Sequence, residues 1–383
     1  MPAPLEGIRV IELARILAGP WAGQTLADLG AEVIKVEAPE GDDTRRWGPP
    51  FIERPTPDGG TDRTAAYFHG TNRGKKSVIA DFRTKEGQET VRRLVAGADV
   101  VIENFKLGGL AKYGLDYQSL RQVNPRLVYC SITGFGQTGP YAPRAGYDFI
   151  IQGMAGLMSL TGDPGGQPQK VGLAVTDIYT GIYATTAILA AILQRARTGE
   201  GQHIDMALMD VGTAILANQA MNYLATGDAP RRMGNAHPNL MPYAVFDCRD
   251  GWIIFATGND GQYRRLCAIL GLHALAEAPE YRSNADRIAR RDELTAKLTE
   301  ATRRFAKADL LAACEAEGVP AGPINDLAEV FADPQVIARG LKIAPEGVPG
   351  VRTPVTFSGA ELSLDRASPR LGEHQDEIPP SGA

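Results

Sequence analysis

The sequence predicts an α/β protein: a large domain built on a parallel sheet, accompanied by a smaller α+β domain. Three observations carry this. Strand, helix and strand succeed one another from Ile8 to Glu37. A similar alternation resumes at Thr84 and runs to about Leu224. After Gly227 the pattern changes to two adjacent strands followed by amphipathic helices. A βαβ unit implies parallel pairing.

Ile8–Leu13 is an apolar run of strand type. Pro20 suits a first helical position, the helical pattern runs to Leu29, and Gly30 closes it. Glu32–Glu37 is the next strand. The stretch from Ala38 to Thr64 is rich in Pro, Gly and charge and reads as a long loop. Thr84–Ala96 is an amphipathic helix, Asp99–Glu103 a buried strand, Tyr117–Val123 a helix and Arg126–Ile132 a strand. The alanines of Gly181–Arg197 recur at helical spacing, which marks a buried helix. His203–Ala207 reads as a strand and Val211–Leu224 as a helix. Tyr243–Asp247 and Trp252–Ala256 are joined by a turn at Asp250-Gly251, and helices follow at Gln262–Leu270 and Arg291–Phe305. The expected domains are therefore 1–225, a small domain 226–317, and a return segment 318–383 completing the large domain.

Composition narrows the function. The 383 residues are 44% hydrophobic and 22% charged, with a net charge of −5. That suits a globular chain and argues against nucleic acid or a membrane surface as partner. Four scattered cysteines lack metal-type spacing and fit a reducing cytoplasm. The first residues lack a charged stretch followed by an apolar core, so no secretion signal is expected. The apolar run Ile182–Leu193 is short and Thr-interrupted for a membrane span.

Gly134-Phe-Gly136-Gln-Thr-Gly139 matches a dinucleotide fingerprint, but Pro140 and Pro143 spoil the helix that would meet a pyrophosphate. No nicotinamide site is expected. Nucleophile-elbow, phosphate-loop and zinc-protease motifs are absent, as are paired cysteines, so no metal is expected either. One carboxylate stands out. In Lys170–Gly181, Asp177 falls where an apolar segment meets a helix start. Thr176 or Asp177 is of helix-capping type. Alternatively Asp177, favoured in its ionised form by the helix N-terminus, attacks an activated acyl group such as a thioester.

The ordered set of motifs resembles the class III CoA-transferase family, whose best-known member is formyl-CoA transferase. The set begins with Leu5–Leu13, Leu17–Pro20 and Leu29–Glu37. It continues through Asn72–Ser77, Glu103–Phe105, Asn124–Arg126, Gly134–Gly136, Ala145–Asp148, Thr176-Asp177 and Thr198–Gln202. It ends with Gly234-Asn235, Gly318–Pro320, Gly322–Ile324 and Leu371–His374. The resemblance implies a Rossmann-like large domain and an interlocked homodimer. It implies CoA transfer from an acyl-CoA donor to a carboxylic acid, with Asp177 carrying first the acyl group and then CoA. It also implies coenzyme A contacts at Leu17, Ala18, Arg83, Asn104, Phe105, Lys106 and Lys112. Arg144, Tyr147 and Asp148 line the approach to the aspartate in relatives. Some relatives have arginine where this chain has Ala38.

A sister branch racemises 2-methylacyl-CoA thioesters with a His at the position of Tyr147. Tyrosine, with a reference pKa near 10, is a poor replacement base, which favours transfer. A non-catalytic CoA-binding protein is the alternative from another class. Gly234–His237, Gly258-Asn259 and Gly322–Asn325 resemble the branch that pairs succinyl-CoA with dicarboxylic acids. Arg73, Arg144 and His237 are candidates for the acceptor's remote carboxylate. Gly258–Gln262 reads either as a lid that excludes water or as an ordinary turn.

Overall fold

The computed structural model describes residues 1–377. The chain divides into two compact units: one of residues 1–158, 170–229 and 335 onward, the other of 159–169 and 230–334.

The larger unit carries a six-stranded sheet. Its strands are β1 (Arg9–Glu12), β2 (Glu32–Glu37), β3 (Lys76–Ile79), β4 (Val100–Glu103), β5 (Val128–Thr133) and β6 (His203–Ala207). The order is β3-β2-β1-β4-β5-β6, every pairing parallel. The parallel sheet expected from the βαβ opening is therefore present. Alternation of side chains splits each strand between two cores. Ile11, Ile34, Val78, Val101 and Tyr129 face one core, which includes Val91 and Leu94 of α2 (Lys85–Ala96) and Leu120 of α3 (Tyr117–Val123). Val10, Val33, Ile102, Cys130 and Ile132 face the other, which α1 (Ala18–Asp28) and α5 (Val175–Thr198) close. Between α3 and α5 in the chain lies the short α4 (Asp148–Met154).

Several differences from the sequence reading have local causes. The expected loop from Ala38 contains a 3₁₀ turn, Asp43–Arg46, and an antiparallel ribbon pairing Phe51–Pro55 with Thr61–Ala65. Proline and charge mask its alternation. The expected helix Val211–Leu224 is two helices, Leu208–Ala214 and Ala217–Thr226, broken where Ala217 takes a φ of 46°. By length and composition the 24-residue α5 is apolar enough to cross a membrane, contrary to the reading of its shorter apolar core. Ala184, Ile188 and Ala191 on one face of α5 are buried in the sheet core.

In the smaller unit, Tyr243–Cys248, Gly251–Ala256 and Ala321–Pro323 form an antiparallel sheet. Phe246, Ile253, Phe255, Leu266, Leu294, Leu298 and Leu310 build its core. Residues 318–334 belong to this unit, because Ala321–Pro323 pairs with its central strand. The expected return segment begins at 318, whereas the larger unit resumes at 335. Residues 378–383 of that expected segment lie outside the described residues.

One close approach positions the site. Gly134 follows β5, and a Cβ there would overlap the Cα of Gly146. The two backbones cross in contact, and two residues beyond the crossing Asp148 reaches the start of α5. We expect Gly134→Ala to cost about 1–3 kcal/mol, since backbone cannot yield as a side chain can. An unchanged urea midpoint would refute this.

Candidate active site

Asp177 is the third residue of α5, whose N-cap is Ala174. Neither Thr176 nor Asp177 caps the helix. Asp148, arriving from α4, satisfies the helix start from outside. Its Oδ1 accepts the Thr176 N–H at 2.9 Å and the Thr176 hydroxyl at 2.6 Å. Its Oδ2 accepts Gln152 Nε2 at 2.7 Å, and Gln152 Oε1 accepts the Val171 N–H at 2.9 Å. Asp148 thus ties α4, the segment before α5 and the first turn of α5 together.

Asp177 is half-buried, and burial, reinforced by the Asp148 carboxylate, pushes its pKa up to about 7. Sequence alone implies an ordinary carboxylate, fully ionised at neutral pH. The reason is physical: desolvation first, then the like charge of Asp148, disfavour the anion. Tyr67, which no periodic or motif signal singles out, stands within the field of both carboxylates. Burial first, then Asp177 and Asp148, raises the pKa of its phenol. Trp47 meets it edge-on, ring centroids 5.4 Å apart.

Four residues further along α5 is Gly181, on the same helical face as Asp177. A Cβ on Gly181 would lie 2.8 Å from the Ala18 carbonyl oxygen and 2.9 Å from the Trp21 ring. The N-terminus of α1, with buried Leu17 and Ala18, therefore rests on α5 one turn from Asp177.

A cavity of about 260 Å³ opens at the carboxyl ends of the strands, with Arg15 of the β1–α1 loop in its wall. Arg15, Ala38, Ala80, Arg83, Phe105 and Tyr113 line it. Ligands of open parallel sheets bind at such strand ends. Phe105 packs against Phe82 at 6.0 Å, and the Arg15 guanidinium lies 5.9 Å from the Phe105 ring centre. Arg83 is exposed, bonded to Asp81 at 2.8 Å and near Glu40 at 3.6 Å. Arg15 and Ala18 are three residues apart, a span of roughly 10 Å at full extension. The β1–α1 loop thus supplies Arg15 to the cavity and, three residues on, Ala18 to the contact with Gly181 of α5.

Other sequence-derived residues fare differently. The Asn104 amide is spent on backbone: its Oδ1 accepts the Arg15 N–H at 2.9 Å and its Nδ2 donates to the Arg15 carbonyl at 2.7 Å. Lys106 and Lys112 are exposed, the latter 4.7 Å above the Tyr113 ring. Arg144 is exposed and stacks on Tyr141 at 3.9 Å; Tyr147 is 62% exposed. Of that segment, Asp148 is the residue seen to engage the start of α5. Arg73 is buried against Asp28 and the Val351 carbonyl, which removes it as an acceptor ligand. In the smaller unit, His237 packs on Tyr243 at 4.9 Å and its Nδ1 accepts the Asn239 N–H. Gly258–Gln262 forms a helix start: Asn259 accepts the Gln262 N–H, and Gln262 Oε1 accepts the Gly258 N–H.

A second cavity, about 240 Å³, lies beyond Phe105 and is lined by Glu103, Ser131, Tyr129 and His203. Burial pushes Glu103 up to about 7, against hydrogen bonds from Ser131 and the Phe105 N–H. Asp177 is not among the residues that line it.

Comparison with known proteins places the chain in a family. The model of CoA-transferase family III matches residues 5–375. The chain is 61% identical over 381 residues to a succinate–glutarate CoA-transferase of Agrobacterium fabrum, covering 98% of this chain and 94% of that one. It is 41% identical over 383 residues to the human succinyl-CoA:glutarate CoA-transferase, covering 98% and 85%. The crystal structure of a CaiB/BaiF family protein from Brucella suis superposes with a TM-score of 0.90 at 62% identity, covering 99% of each chain. The chain accordingly belongs to CoA-transferase family III and is a CoA-transferase.

Proposed function

We propose that the enzyme moves CoA from succinyl-CoA to a dicarboxylic acid of the glutarate type, with Asp177 as covalent carrier. The observation that carries the reading is a half-buried carboxylate with a raised pKa in the first turn of a helix. Relatives named as succinate–glutarate and succinyl-CoA:glutarate CoA-transferases support the substrate pair.

The steps balance without net proton transfer. An Asp177 oxygen attacks the thioester carbonyl carbon, the C–S bond breaks, and CoA leaves as thiolate from a mixed anhydride. The thiolate attacks the aspartyl carbonyl carbon and expels succinate, leaving an aspartyl-CoA thioester. The acceptor carboxylate attacks that carbon and releases thiolate, forming a second anhydride. Thiolate then attacks the acceptor's acyl carbon, and Asp177 departs as carboxylate. Desolvation suits this chemistry, because a carboxylate with fewer water contacts is the stronger nucleophile. The helix N-terminus counters the negative charge at each step. Mass spectrometry of the Asp177 peptide after incubation with succinyl-CoA should show bound CoA. Absence of any adduct during turnover would defeat the covalent route.

The nucleotide portion of CoA is assigned to the cavity lined by Phe105 and Arg83. Phe105→Ala should raise the KM for acyl-CoA about tenfold, the scale of a lost base stack, with kcat changed far less. An unchanged KM would move the nucleotide elsewhere. We assign the enzyme to an interlocked homodimer. Exposed Phe149, Ile150, Tyr179, Ile182, Tyr183 and Leu224 in and around α4 and α5 support a second copy as their cover. Sedimentation of a monomer at micromolar concentration would contradict it.

A further inference from the structure

Ile16 has a φ of 74°. For a β-branched residue this left-handed backbone is an outlier, and such strain persists only where the surroundings impose it. Two clamps impose it here. Asn104 holds the backbone of Arg15 from both sides. Asp42 accepts the Ile16 N–H, at 3.2 Å to Oδ2 and 3.4 Å to Oδ1, and also the Thr44 N–H at 3.0 Å.

Asp42 is buried and answers to a charge array under α1. Its Oδ2 lies 2.9 Å from Lys35 Nζ. Lys35 also reaches Glu12 at 3.0 Å and the Ala14 carbonyl at 2.9 Å. Glu12 in turn holds Lys75 at 2.8 Å. Glu12, Lys35 and Lys75 are fully buried. Gly23 makes room for them: a Cβ there would overlap the Glu12 carboxylate. Burying such an array is costly, and hydrophobic residues would hold α1 to the sheet as well. What it supplies is a fixed anionic acceptor at Ile16. Directly after Ile16 come Leu17 and Ala18, and the Ala18 carbonyl meets α5 at Gly181, one turn from Asp177.

We propose that Asp42 is a positioning residue: by pinning Ile16 in a strained backbone, it sets the loop that carries Leu17 and Ala18 against the helix bearing Asp177. The proposal rests on the reading of Asp177 as the nucleophile. A loop displaced by an ångström from a reacting centre costs on the order of a hundredfold in rate.

The test measures succinyl-CoA:glutarate transfer and thermal unfolding for Asp42→Asn and for Asp42→Asn combined with Ile16→Gly. Asparagine keeps the shape but turns a donor toward the Ile16 N–H or toward Lys35. Glycine accepts a φ near 74° without penalty, so the double variant keeps the fold where the single variant loses it. The expected result is a double variant that melts near the wild type, with kcat lowered about tenfold or more and the KM for succinyl-CoA within about threefold. Wild-type kcat in either variant would overturn the proposal. So would a loss confined to KM, or failure of the double variant to fold, which places Asp42 in stability alone. Asp177→Asn, run in parallel, separates the two readings: its turnover bears on the nucleophile and leaves the clamp untouched.

Discussion

Replacing Asp177 by asparagine is expected to abolish CoA transfer and to make the protein more stable at alkaline pH. The first half follows from chemistry. A carboxamide cannot form the anhydride, and loss of a covalent carrier costs on the order of 10⁴-fold or more in kcat. The second half follows from linkage. Asp177 has its pKa raised from 3.8 to about 7 in the folded chain. The folded state therefore binds the proton more tightly than the unfolded one, and stability falls as pH rises from about 4 to about 7. Above that window the full cost of the buried anion is present. The asparagine variant carries no charge there and escapes it. Such a displacement corresponds to about 4 kcal/mol, and solvent contact on this half-buried group reduces that to about 1–2 kcal/mol. The melting temperature of Asp177→Asn should exceed the wild type at pH ~8 and match it near pH ~4. Equal melting at both pH values would show that the anion is not held against its preference. Turnover close to wild type would remove Asp177 from the chemistry.

The stretches that can be read from sequence are those whose signals are local. Gly30 follows the end of α1 and Thr84 caps α2 by accepting the Gly87 N–H, as expected, whereas α1 begins at Ala18, two residues before Pro20. Asp177 is legible as a residue because few carboxylates stand at the start of so apolar a helix. Its electrostatics are not legible, because they come from burial and from Asp148, which the Gly134–Gly146 crossing brings to α5. The basic cluster Arg73–Lys76 shows the same gap. As a string it offers Arg73 as a ligand for the acceptor's remote carboxylate. In the fold Arg73 is paired with Asp28, Lys75 with Glu12 and Lys76 with Glu32, partners that sequence separation hides. Asn104 likewise reads as a ligand group, yet its hydrogen bonds go to Arg15. Pairings across long loops decide what a polar side chain is free to do, and only the local half of that information is written in the string.

Asp148→Asn is expected to divide into two separable effects. Removing the negative charge takes away the second cause of the raised Asp177 pKa while leaving the larger cause, burial. The ascending limb of kcat/KM for the free enzyme, expected near pH 7 in the wild type, should therefore move toward acid by about half to one pH unit. Activity at pH ~6 relative to pH ~8 rises accordingly. The second effect is geometric. The asparagine amide faces Gln152 Nε2, whose own carbonyl is committed to the Val171 N–H, so the tie between α4 and α5 loosens. A misplaced first turn should lower kcat about tenfold at its optimum. The shift of the limb is the discriminating measurement, because Glu103 is also pushed up to about 7. Burial raises Glu103, and its bonds go to Ser131 and the Phe105 N–H, so its charge does not depend on Asp148. A limb that moves when Asp148 loses its charge belongs to Asp177. A limb that stays, with kcat reduced, belongs to another group and would leave Asp148 as a structural tie alone.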